Sequence, residues 1–174
     1  MNLSDLMPLA KWEDIEKEIN QKYGLDANFF NIDGIRITSF REWANRLCPT
    51  IKATDKGQSF ICAVAHMSVA AEAKHDRAPK IEECDGGLLK IVVPIFVGNE
   101  FVGAFGACGF ILDDGEVDTF LINKVTEIPE EELEALSEGI QTISMEAAES
   151  LVADVQDKIS AIISEYERQQ SGMK

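Results

Sequence analysis

The segment from Leu88 to Leu112 narrows the possible folds more than any other part of the chain. Leu88 to Val97 is an apolar run with few polar breaks, which suits a strand buried on both faces. Gly98-Asn99 supplies a tight turn, and Phe101 to Leu112 reads as the partner strand. Gly103, Gly106 and Gly109 recur in it at every third position. Glycine weakens a strand, so this spacing signals a bulge or the close approach of a ligand or another backbone. The alternative is curvature of the sheet against a packed helix.

A hairpin covered on both faces needs helices to cover it, and the flanking sequence offers them. Trp12, Ile15, Ile19 and Tyr23 recur at helical spacing within residues 9–23, and Gly24 follows as a C-cap. Asp33-Gly34, between two short β-prone runs at 29–32 and 35–38, predicts a further hairpin. Residues 40–47 suggest a short helix ended by Pro49, residues 50–58 a polar loop, and Phe60 to Lys74 an alanine-rich helix stopped by Arg77-Ala78-Pro79. Ile81 begins a short strand, and Cys84-Asp85-Gly86-Gly87 forms a turn. Asp113 to Glu116 has the form of a capping box for a helix reaching Val125. Pro129 and three glutamates start another helix.

Beyond Gly139 the helical pattern continues to about Gln169. Leu136, Ile140, Ile143, Ala147, Leu151, Val155, Ile159, Ile162 and Tyr166 form one stripe, mostly at intervals of four. A run of fours rotates the seam, so the stripe predicts packing on the domain or on a partner, not a regular coiled coil. The fold class expected is α+β. Its division is a domain over residues 1–127 and a C-terminal helical extension over 128–174, which packs on that domain or forms a homodimer.

The chain of 174 residues carries 31 acidic and 16 basic side chains, a net charge of −15. A field of that sign repels phosphate, so no nucleic acid and no anionic membrane surface is expected as a partner. The N-terminus lacks the pattern of a secretory signal, and no apolar run is long enough to span a bilayer, so a cytoplasmic location is expected.

Enzyme motifs are missing. No phosphate-binding loop, dinucleotide fingerprint or nucleophile elbow occurs, and the two histidines, His66 and His75, lie on one predicted helix. The cysteines are Cys48, Cys62, Cys84 and Cys108. In a reducing compartment they are thiols, metal ligands or redox centres, not a disulfide framework. Cys62 lies near a helix start, where the dipole favours thiolate, and His66 shares its helical face four residues on. Cys48, Cys62 and Cys84 with His66 or Cys108 as a fourth ligand suit zinc or an iron–sulfur cluster chemically. The alternative is ordinary buried thiols and an unexceptional histidine. A small organic ligand within the sheet, lined by Trp43, Phe96, Phe101 and Phe105, is a separate possibility.

From Phe40 to about Asp114 the sequence resembles the sensory domain named after PocR, a regulator of propanediol utilisation. The resemblance is carried by Leu47-Cys48, Cys62 opening an alanine-rich helix, Cys84-Asp85-Gly86-Gly87-Leu88, Val93-Pro94-Ile95 and Gly98 to Gly103. The family usually has histidine after the third cysteine, where this chain has Asp85. The resemblance implies a PAS-like fold, a central antiparallel sheet flanked by helices, and a role in sensing a small molecule. The shared cysteine trio adds weight to a common thiol or metal function. The expectation is therefore a non-enzymatic sensory domain that reads a small molecule, or a metal or redox state, through a cysteine-lined site. The alternatives are an organic-ligand pocket with structural cysteines and a dimerising protein without a cofactor.

Overall fold

In the computed structural model, which describes residues 1–172, four antiparallel strands make the central sheet. They are β1 (Asp26–Phe30), β2 (Lys80–Glu83), β3 (Leu89–Val97) and β4 (Glu100–Cys108), in the spatial order β1-β4-β3-β2. β3 and β4 are the expected hairpin, with the register broken by a bulge between Ile95 and Phe96. Beyond β1 a single bridge, Phe30 to Arg36, adds the start of a fifth strand. It is what remains of the hairpin expected at 29–38, and the Asn31 side chain closes its turn by accepting the Asp33 and Ile35 N–H groups. The sheet with this edge segment and its covering helices is PAS-like α+β.

The two faces of the sheet are covered differently. Leu89, Ile91, Val93 and Ile95 of β3 point into the larger core with Phe29 and Phe105. That face is covered by α1 (Leu3–Leu6) and α2 (Leu9–Tyr23), and by the last helix, numbered α8 below. Trp12 of α2 is fully buried against Phe29, ring centroids 4.6 Å apart. On the opposite face, one end is closed by α3 (Leu47–Lys52), α4 (Asp55–Gly57) and α5 (Val64–Asp76), the last entered through a π-helical stretch, Gln58–Ala63. Val69 and Ala73 of α5 meet Val92 and Ala104 of the sheet.

Past β4 the chain kinks at Gly109 and forms β5 (Ile111–Leu112), then α6 (Thr119–Thr126) and α7 (Glu130–Ser137). These helices enclose a third core of Leu47, Ile51, Ile61, Leu88, Ile122 and Leu133. β6 (Thr142–Ile143) then pairs with β5 in parallel, and α8 (Met145–Gly172) runs back across the larger core. Ala148, Leu151, Val152, Val155 and Ile159 of α8 are buried there.

Several elements differ from the sequence reading, each for a local reason. Residues 40–46 are not helical. The helix begins at Leu47 and runs through Pro49, which lies in the first turn, where a missing N–H breaks no intrahelical bond. The expected loop at 50–58 is largely helical, because Gly57 lets α4 approach so closely that an added Cβ would stand 2.2 Å from the Ile51 carbonyl oxygen. α6 starts five residues later than the capping box predicts. Asp118 is its cap, accepting the Leu121 N–H at 2.9 Å, while Asp113 takes a left-handed turn with φ of 48°.

The final stripe is also interrupted. The Gln141 and Ile143 carbonyls accept the Ile111 and Asp113 N–H groups at 2.9 and 2.8 Å. That pairing holds residues 141–143 extended, so Leu136, Ile140 and Ile143 lie before the helix and α8 begins at Met145. Its buried position in the first turn is Ala148, one residue on from the expected Ala147.

Candidate functional site

The residues of interest converge where β1, β3 and β4 meet α3 and the π-helical stretch. Strand alternation puts Asp26, Asn28 and Phe30 of β1 on the face away from the larger core, with Lys90 of β3 and Cys108 of β4. Gly106, between the two strands, leaves the room that Phe30 needs: an added Cβ there would stand 2.9 Å from the Phe30 ring. Opposite stand Cys48 and Lys52 of α3, Cys62 of the π-helical stretch and His66 of α5. Between the two sides is an open cavity of about 680 Å³.

All four cysteines and His66 line this cavity. They come from five separate elements: α3, the π-helical stretch, α5, the turn before β3, and β4. Asn45 fixes Cys48. Its Oδ1 accepts the Cys48 N–H at 2.7 Å, and its Nδ2 donates to the Gly109 carbonyl at 2.6 Å and to the Cys48 sulfur at 3.3 Å. Cys84 is held by the turn in which the Gly87 N–H donates to the Cys84 carbonyl and the Cys84 N–H to the Leu88 carbonyl, both at 2.8 Å. The π-helical stretch carrying Cys62 widens the helix by one residue per turn, a distortion frequent at functional sites.

Three of the thiols, Cys48, Cys62 and Cys84, are held in the protonated form. Burial pushes the Cys62 thiol up to about 11, partly offset by the Lys52 ammonium. Burial also raises Cys84. It raises Cys48 further, with the neighbouring Cys108, Cys84 and Cys62 adding to the effect. The thiolate expected at Cys62 from a helix dipole is thus outweighed by loss of water. The donor chemistry fits zinc or a cluster, but among the described residues no three His, Cys, Asp or Glu side chains stand close enough together to hold one metal ion.

His66 is 6% exposed, and neither ring nitrogen has a hydrogen-bond partner. Burial, reinforced by Lys90, Arg36 and Lys52, lowers it to about 3. The Arg36 Nη2 donates to Asp26 at 3.2 Å, and Asn28 donates to the same carboxylate at 2.6 Å. The other terminal nitrogen of Arg36 is buried and unpartnered. Lys90 is 8% exposed and lies 5.6 Å from the Phe30 ring centre. Lys52 stands over Trp43 at 5.4 Å.

Of the four aromatic candidates, Trp43 lines the cavity. Phe101 borders a second hollow of about 290 Å³ on the outer side of His66. Phe96 packs edge-on against Phe101 and under Arg77, away from the cavity. Phe105 is fully buried in the larger core, on the far face of the sheet. Sequence reasoning missed Arg36, Lys52 and Lys90. Lys90 had a visible signal, because it is the one charged residue within the apolar run from Leu88 to Val97.

The sheet, its covering helices and the mixed polar and thiol-lined cavity between them make up a PAS-like α+β domain. The family whose model is described as the sensory domain found in PocR matches residues 5–167 of the 174. The chain belongs to that family, which is one of sensory domains and not of enzymes. No curated protein and no solved structure matches the chain. No helix among the described residues is long and apolar enough to cross a membrane.

Proposed function

We propose that the domain senses a small molecule bound in the cavity between the sheet and α3–α5, with Cys48, Cys62, Cys84 and Cys108 as its thiol-bearing wall. One observation carries this reading: four cysteines spread over sixty residues of sequence line a single cavity of about 680 Å³ in a sensory-family fold. That size lies within the range of small-molecule sites, roughly 300–1,000 Å³. β3 supplies a route for the signal. Lys90 faces the cavity while Leu89 and Ile91 lie in the larger core with α8, so a shift of the strand on ligand binding alters the seat of that helix. Such coupling requires a ligand that distinguishes two arrangements of β3 and α8.

Trp43 supplies the test. It lines the cavity, whereas Trp12 is fully buried in the larger core. In a Trp12→Phe background, fluorescence titration with diols, short acids and aromatics is expected to find compounds that saturate the Trp43 signal and raise the melting temperature. A second substitution, Ala63→Trp, fills the cavity and is expected to abolish both effects. Compounds that bind equally well to the filled variant count against the cavity.

A second reading rests on the donor chemistry of the four thiols that line the cavity. In it, Cys48, Cys62 and Cys84, with Cys108 or His66 as fourth ligand, draw together on zinc or an iron–sulfur cluster. Anaerobic purification, metal analysis and a visible spectrum test it. A colourless, metal-free protein whose Cys→Ser triple variant is equally stable sinks it.

A further inference from the structure

The cavity is cationic within an acidic protein. Arg36, Arg41, Lys52 and Lys90 line it against Asp26 and Asp33, four cations to two carboxylates, in a chain of net charge −15. Asp26 is already engaged by Arg36 and Asn28, and Asp33 is exposed at the rim. Among the described residues, Lys52 and Lys90 have no hydrogen-bond acceptor and no ion pair, and one terminal nitrogen of Arg36 is buried with no partner. Burial keeps the Cys48, Cys62 and Cys84 thiols protonated, so these three bring no negative charge.

An unpaired guanidinium nitrogen withdrawn from water, as in Arg36, is costly, and an anion placed beside it relieves that cost; the Lys52 and Lys90 ammonium groups, which keep contact with solvent, add attraction for the same anion. The Phe30 ring offsets part of the cost, with Arg36 and Lys90 at 5.8 and 5.6 Å from its centre. Burial and the nearby Arg36 charge push Lys52 down, and burial with the Lys90, Arg36 and Lys52 charges lowers His66. The remaining lining, including Phe30, Trp43, Pro49, Ala63 and Leu88, is apolar, and the volume is far larger than an inorganic ion fills.

We propose that the ligand of this cavity is a small organic acid, its carboxylate held among Arg36, Lys52 and Lys90 and its apolar body against Phe30 and Trp43. The inference rests on the cavity reading above and adds the charge of the ligand. Charge-assisted hydrogen bonds from the arginine fork and a lysine are the stronger kind, and they separate an acid from its uncharged amide.

The experiment is calorimetric titration, at fixed ionic strength, of the whole chain with matched pairs: carboxylates of two to eight carbons, benzoate included, each against its amide, and inorganic phosphate alone. At least one acid is expected to bind about tenfold or more tightly than its amide, equivalent to about 1.4 kcal/mol. Lys90→Met is expected to bring that ratio close to one. Lys52→Gln, at a half-buried position, is expected to reduce the ratio and serves alone if the Lys90 variant does not fold. Equal binding of acid and amide, or a ratio that survives both substitutions, overturns the charge inference and leaves the cavity reading standing. Phosphate binding as tightly as any carboxylate overturns the organic-acid assignment. Binding of no acid and no amide overturns both readings.

Discussion

The His66 imidazole lies against the Phe30 ring, centroids 3.8 Å apart and planes inclined at 32°. Neither His66 nitrogen is paired. A buried polar group left without a partner costs about 1–3 kcal/mol. His66→Phe keeps an aromatic ring in place and removes both orphaned nitrogens, with the adjoining cavity to take the extra volume. Urea unfolding is expected to show a stability equal to the parent or higher by about 1 kcal/mol. A loss of more than about 1 kcal/mol contradicts the unpaired state of the imidazole.

Glu16 predicts how stability depends on pH. Its carboxylate is buried between α2 and β1, accepting the Phe29 N–H at 2.7 Å and the Thr38 hydroxyl at 2.6 Å. Loss of water raises its pKa above the ordinary carboxylate value, against the lowering effect of these two hydrogen bonds. A raised pKa means that the folded state holds a proton which the unfolded state has released. The contribution is therefore fully present below the unfolded value and is lost as pH rises through the folded value. Unfolding free energies of the parent and Glu16→Gln, compared from pH 4 to pH 8, are expected to differ progressively, the variant losing less stability as pH rises. A constant difference over that interval contradicts it.

Gly87 sets the turn that presents Cys84 and Leu88. Its φ is +81°, and an added Cβ would stand 2.1 Å from the Glu116 carbonyl oxygen. Gly98 is also left-handed, with φ of +58°, but has nothing within 4 Å of that position. Gly87→Ala is expected to cost more than about 2 kcal/mol, combining backbone strain with the clash. Gly98→Ala is expected to cost only about 1 kcal/mol, from the strain alone. Denaturant midpoints of the two variants check the difference, and equal losses contradict it.

The parts of the fold legible in the sequence are those where the local signal and the packing agree. α2 shows its stripe and its Gly24 cap, β3 and β4 their run and turn, and α7 its proline and glutamates. The region from 40 to 63 was not legible, because Pro49 and Gly57 read locally as breakers. Burial of Leu47, Ile51 and Ile61 in the third core overrides that signal. The break before α8 was hidden for a related reason: Ile140 and Ile143 keep helical spacing with Leu151, yet the residues between Gln141 and Ile143 are held by β5.

The site divided in the same way. The cysteines stood out as a rare residue type, and the fold brings all four to one cavity. The cations did not stand out, because Arg36, Lys52 and Lys90 are scattered among ordinary surface charges in sequence and meet only through the sheet. Phe105 shows the limit of reading a strand without knowing its faces. It precedes Gly106 by one position, and that single step places it in the larger core.

The central claim is that the cavity between β1, β3 and β4 and the helices α3–α5 receives the ligand. Amide NMR of the isotopically labelled chain, titrated with a compound selected through Trp43, tests it most directly. The largest shift changes are expected at Arg36, Cys48, Cys62, His66 and Lys90, with smaller changes along α8 from Ala148 to Ile159. Changes confined to the outer surfaces of α7 or α8, with those five amides unmoved, would contradict the account.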